Sequence, residues 1–381
     1  MNSRGPAFLI LVLALAFVAV VLVRSGSFAP ATSHAPAAAD TLPAAPPGVT
    51  WIGGAPAERG SLTAVVVWDL ADPGSLAAAD RAEEWRLLYA ALGARVIGVY
   101  APHAAFDSDS AVVAAEVTRR GLHYPVALDA SLVWTQALSS GGARPRVVLA
   151  DTLGRVRWSG RNVRDAEREL ERMIVERRPD LAPPGARADS SAGTGTPAGA
   201  PGTPIAGDEV SGDGARAAHP PVWLGAGDHP SGPLADVTPG GARVFHAELA
   251  TRIGGTPWIP TPIGLWALGA DGLTAAHGGA QVYVALRYDA CPLAVLAAGA
   301  GRHMTRLWVL LDDAWVPGGL AGADLRYDGS GHSYVEVTWP RLYDLVRADG
   351  KTHVVKASPE DPGLTLHAFV FEPVPPVPAR P

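Results

Sequence analysis

Two textures of apolar and polar positions divide the chain. Between residues 49 and 178, short unbroken apolar runs alternate with stretches whose apolar residues recur at helical spacing. Ala64–Trp68 reads as a buried strand, followed by a helix carrying Leu76, Trp85, Leu88 and Tyr89, then a second strand at Arg95–Tyr100. Val112, Val113 and Val117 place a helix over Ser110–Arg120. Tyr124–Asp129 is a short strand running into a turn, and Ser131 is the expected N-cap of a helix over Leu132–Ala137. Arg146–Ala150 and Arg155–Trp158 flank the turn Asp151–Gly154 and predict a hairpin. Asp165–Glu176 closes the block as a charged amphipathic helix, with Leu170, Met173 and Ile174 on its buried face.

From residue 219 to 374 the runs are shorter, alternating, and separated by Gly, Pro and Asp. Strands are expected at Arg243–Leu249, Gln281–Leu286, Thr305–Leu311, Ser333–Val337, His353–Ala357 and Leu366–Phe371. One short helix is expected at Pro340–Val346. Many short strands with turn signals between them predict an all-β sandwich, jelly-roll-like in kind. Trp266 and Trp308 sit in apolar runs and are assigned to its core. Trp315 and Trp339 lie beside turn residues and are the candidates for exposed rings that stack on a ligand such as a glycan.

The remaining segments carry other signals. Gly5–Val23 holds no charged residue and is bracketed by Arg4 and Arg24. As a helix it would span about 28 Å, close to a bilayer core. Residues 1–24 are therefore expected to be an uncleaved transmembrane anchor, with the bulk of the chain outside the cytoplasm. Residues 25–48 and 179–218 are rich in Ala, Pro, Ser, Thr and Gly, and read as a flexible tether and a disordered linker. Residues 375–381 form a tail. Composition adds exclusions. The chain has 381 residues and 48% hydrophobic content, enough for two domains, and a net charge of −6 that argues against nucleic acid as a partner. Its single cysteine, Cys291, excludes an intramolecular disulfide and reads as a small buried hydrophobe. The histidines show no metal-ligand spacing, and Asp312, Asp313 and Asp324 read as turn carboxylates, so neither metal nor cofactor is expected.

The first block resembles the thioredoxin-like domain of DipZ-type, TlpA-related membrane-attached thiol–disulfide proteins. The matching residues are Val65–Trp68, Trp85, Tyr89, Val96–Pro102, Phe106 and Tyr124–Asp129. Trp223–Gly225, Leu310–Asp312, Pro340–Val346, Gly363 and His367–Phe371 resemble the sandwich domain that follows in that family. The resemblance implies that Asp72 and Ser75 stand where the family carries its two cysteines. It implies that Pro145 holds the cis-proline position, and that Pro145 and Trp68 border a groove for a protein or peptide partner. A carboxylate and a hydroxyl cannot exchange disulfides. Asp72 and Ser75 are expected to cap the helix instead. The function expected is a membrane-tethered, redox-inactive binding or scaffold module. The alternatives are an oxidoreductase-related protein of the cell envelope and a surface glycan-binding module.

Overall fold

The computed structural model describes residues 41–56, 60–139, 146–180, 219–227, 234, 237–246 and 256–372. The apolar segment Gly5–Val23, Pro145, most of the 179–218 linker and the tail lie outside these residues. Among the described residues, no helix is long and apolar enough to cross a membrane.

The first block is a six-stranded sheet with helices on both faces. Its strands are β1 (Thr50–Ile52), β2 (Leu62–Trp68), β3 (Ala94–Tyr100), β4 (Val126–Leu128), β5 (Val147–Ala150) and β6 (Val156–Gly160). They lie in the order β1-β4-β3-β2-β5-β6. β2, β3 and β4 run parallel, while β1, β5 and β6 join antiparallel. The helices are α1 (Pro73–Tyr89), α2 (Ser110–Arg120), α3 (Val133–Leu138) and α4 (Val163–Arg177). Every residue of β2 is buried, because Ala64, Val66 and Trp68 face one core while Val65 and Val67 face another. That two-sided burial is why the run carries no alternation. A βαβ unit followed by an antiparallel hairpin and a closing helix is a thioredoxin-like layout.

Three local expectations change. Ser131 does not cap α3; its N-cap is Leu132 at φ 58°, without a side-chain bond. The buried Asp129 acts instead, its Oδ2 accepting from the Thr135 amide at 2.6 Å. The end of the tether is not free. Leu42 donates its amide to the Gly154 carbonyl at 2.7 Å, Trp134 Nε1 donates to the Pro43 carbonyl, and Leu42 and Ala45 pack on the core that α3 covers. Trp68 does not border a groove. It is 0% exposed and packs edge-on against Tyr100 in the core.

The second block is all β. Its strands are β7 (Val222–Trp223), β8 (Arg243–Phe245), β9 (Thr261–Leu268), β10 (Leu273–Ala275), β11 (Tyr283–Asp289), β12 (Leu293–Ala298), β13 (Thr305–Leu311), β14 (Ala314–Trp315), β15 (Arg326–Tyr327), β16 (Ser333–Val337), β17 (Arg341–Val346), β18 (Thr352–Pro359) and β19 (Thr365–Phe371). One half runs β15-β16-β13-β18-β11-β9 and the other β9-β10-β19-β12-β17. β9 belongs to both: Thr261–Ile263 pair with β11, and Gly264–Leu268 with β8 and β10. The bend falls at Gly264, whose φ of 91° and tight approach to the Gln281 carbonyl exclude a side chain. Side chains of both halves meet in one core, among them Leu307, Val309, Val335, Val295, Tyr343 and Phe369. Trp266 and Cys291 lie in it, as expected. The helix expected at Pro340–Val346 is instead strand β17, paired antiparallel with β12. Its short apolar run fits either period, and only the neighbouring strand decides.

The two blocks share a core. Ala294 and Leu296 of β12, Leu342 of β17, and Ala368 and Val370 of β19 join the cluster formed by α1, α2 and α4 against the first sheet. Charge follows the same seam. Glu116 of α2 is fully buried and bonded by Arg119 and Arg120, and Asp324 and Asp344 of the second block act electrostatically on Arg119. Burial opposes ionisation of Glu116, but the two guanidinium groups hold its carboxyl below the usual range.

Candidate functional site

β2 delivers the chain to a tight polar turn at the N-terminus of α1. Asp69 organises it: its Oδ1 accepts from the amides of Ala71 at 2.8 Å and Asp72 at 2.9 Å. Ser75 is buried, and its Oγ accepts from the Asp69 amide and donates to the Asp72 carbonyl at 2.8 Å. Asp72 is the N-cap, with Oδ1 accepting from the Gly74 amide at 3.0 Å. Asp72 thus caps the helix as its type predicts, whereas Ser75, already inside the first turn, does not cap it but ties that turn back to Asp69 and Asp72.

The sequence reading missed what lies over the turn. Arg146, which enters β5, is fixed through its backbone: its carbonyl accepts from Val67 and its amide donates to Gly160. Its guanidinium reaches Asp72, with Nη2 donating to Oδ1 at 3.0 Å and to Oδ2 at 3.2 Å. Arg161, just beyond β6, adds a contact to Oδ2 at 3.5 Å. Arg146 lies so close over the turn that a Cβ on Gly74 would sit 2.4 Å from Nη2. Its place directly after Pro145 was the signal available in the sequence. Among the described residues, the Asp72 carboxylate is thus committed to an amide and two guanidinium groups. Pro145 itself lies outside the described residues.

The loop after β3 reaches the second block. The His103 ring stacks on Trp223 at 3.7 Å, and Phe106 stacks on His367 at 3.8 Å. A small crevice there is lined by His103, Phe106, Trp223, Ala270 and Asp271. His367 donates Nδ1 to the Asp271 carbonyl at 2.7 Å, while its buried Nε2 has no partner among the described residues. Burial holds this imidazole down at about 4.

The tryptophans of the second block divide differently from expectation. Trp308 is not a core residue. It is half-buried and points outward from β13, where Leu307 and Val309 point in. Trp315 is 37% exposed, as expected of it, and meets Trp308 edge-on at 6.1 Å. Trp339 is half-buried, with its indole N–H enclosed. The turn carboxylates are engaged within the protein: Asp312 with His353, Asp313 with Lys356, and Asp324 with Arg341. No cluster of metal-ligating side chains occurs among the described residues.

No family model matches the chain, and no curated protein matches it. Solved structures do. A thioredoxin-like protein in its oxidised form is 18% identical, with a TM-score of 0.33, over 36% of this chain and 96% of that one. Peroxiredoxin Q of Xanthomonas campestris is 14% identical, with a TM-score of 0.29, over 36% of this chain and 98% of that one. A Chlorobium tepidum protein described as the thiol:disulfide interchange protein DsbE is 19% identical, with a TM-score of 0.27, over 31% of this chain and 80% of that one. These likenesses concern fold over about a third of the chain; the thioredoxin-like layout itself rests on the strand order and helix placement given above.

Proposed function

We propose that the protein is a thioredoxin-like relative of thiol–disulfide oxidoreductases that works by binding rather than by dithiol exchange. The relation is one of fold. The supporting observation is the occupied turn: Asp72 caps α1 and pairs with Arg146 and Arg161, while Ser75 bonds backbone groups beneath it. Exchange needs an attacking thiolate and a resolving thiol. Cys291, 8% exposed, packs in the core of the other block. In this reading the uncharged segment Gly5–Val23 holds the protein at a membrane, with both blocks outside the cytoplasm. They act there as a scaffold for a protein partner, and an exposed aromatic face supplies a second contact.

The test is reduction of insulin by dithiothreitol, assayed on the membrane pellet that survives alkaline washing and on purified full-length protein. The protein should remain in that pellet, and insulin should precipitate no faster than in its absence. Clear turnover that disappears in Cys291→Ser would establish the other reading, an oxidoreductase drawing on that thiol. Release of the protein by alkaline washing would remove the tether from the account.

A further inference from the structure

We infer that the outward face of strands β13, β14 and β16 is a binding site for a neutral oligosaccharide. The proposal concerns a site separate from the turn at Asp72 and does not depend on its redox state. Three cross-strand pairs build the face: Arg306 opposite Glu336, Trp308 opposite Tyr334, and Leu310 opposite Trp315. Their strand neighbours Leu307, Val309 and Leu311 are buried in the sandwich core, so these side chains point the other way. The rings of Trp308, Trp315 and His332 adjoin at the surface, and Tyr334, which is buried, backs Trp308 beneath the Arg306 guanidinium. Trp308 lies 5.3 Å from Tyr334 and 6.1 Å from Trp315, and Trp315 lies 4.4 Å from His332.

The chemistry of this surface selects the ligand class. Large aromatic rings left in water are costly for a sheet that could carry polar residues there, and they bind the apolar face of a planar or ring-shaped ligand. A cationic ligand is the usual alternative for such a cluster. Over Tyr334 and Trp308 that role is already filled, because the Arg306 guanidinium sits 4.7 Å from the one ring and 5.6 Å from the other. An anionic ligand finds no net charge. Arg306 is matched by Glu360, Arg326 by Glu336, and His332 is bonded to Asp328. What remains is an apolar, ring-shaped face surrounded by charge-balanced donors and acceptors. A sugar ring complements both parts: its C–H face packs on the indoles, and its hydroxyls bond to carboxylate and guanidinium at the rim. Trp315, the most exposed of these rings, would make the main stacking contact.

The experiment titrates full-length protein, in sugar-free buffer, with hexasaccharides of glucose, mannose, xylose and N-acetylglucosamine. Tryptophan fluorescence and calorimetry give the readouts. At least one of the four should bind saturably, and Trp315→Ala should weaken it tenfold or more. Leu87→Ala, on an exposed position of the first block, should leave the affinity unchanged. An unchanged melting temperature in Trp315→Ala shows that the loss is local, and Trp315→Tyr, which keeps a ring, should retain most of the binding. The inference is overturned if none of the four binds at millimolar concentration. It is equally overturned if Trp315→Ala binds as the parent does, or if choline or heparin binds at this face in their stead. The insulin assay is blind to Trp315, so either reading can fail alone.

Discussion

Asp72 shows how much a single residue type determines. At the N-terminus of α1 a carboxylate accepts an amide proton and draws two guanidinium groups, Arg146 and Arg161. A sulfur at the same point would inherit that positive surrounding. The double variant Asp72→Cys/Ser75→Cys should therefore form a disulfide on oxidation, and the thiol introduced at 72 should titrate at least one unit below the free value of about 8.5. Alkylation rate against pH measures this. A thiol titrating at or above the free value would mean that Arg146 and Arg161 do not act on the position. The cap was legible from residue type, because aspartate before Pro-Gly-Ser has few other roles. The ion pair was legible only as a position after Pro145, since Arg146 and Arg161 reach the turn only after β5 has paired with β2 and β6 with β5.

At the scale of elements, most strands and helices followed from periodicity where one face is buried and the other wet. Helix α2 and strands β13 and β16 lie where the pattern puts them, over Ser110–Arg120, Thr305–Leu311 and Ser333–Val337. The pattern failed where tertiary contact supplies the second face. β17 reads equally as about two helical turns, and Trp308 sits in a run so apolar that its outward direction was hidden. β19 carries a consequence of its own. His367 is enclosed between Phe106 and the Asp271 carbonyl, with Nδ1 donating and Nε2 unpartnered among the described residues, so a second proton would be buried without an acceptor there. Its folded pKa of about 4 lies below the ordinary value near 6.5, and the unfolded chain takes the proton first. This contribution is intact above pH ~6.5 and is lost as pH falls toward 4, by about 3 kcal/mol. Urea unfolding at pH 7 and pH 4.5 should show a smaller drop in His367→Gln than in the parent. Equal drops would place the acid sensitivity elsewhere.

At the scale of the molecule, the sequence divides the chain at residues 179–218, whereas the packing does not. Five apolar residues of the second block complete the core of the first, and Glu116, Arg119, Asp324 and Asp344 add charge along the same seam. The division was legible because the linker's composition announces it. The seam was not, because β12 and β19 look like ordinary buried strands and nothing in them says that their second cover is a helix layer rather than another sheet. Calorimetry should give one endotherm for the two blocks rather than two. A pair of resolved transitions would mean that the seam contributes little to stability.

That seam also governs how the protein can be taken apart. Severed between the blocks, the trailing half would present Ala294, Leu296, Leu342, Ala368 and Val370 to water as an uncovered greasy plane, and the leading half would lose the wall against which its helices close. Fragments cut at the obvious place in the sequence should therefore clump or fold poorly, and co-expression of the two pieces would be the gentler way to study either one.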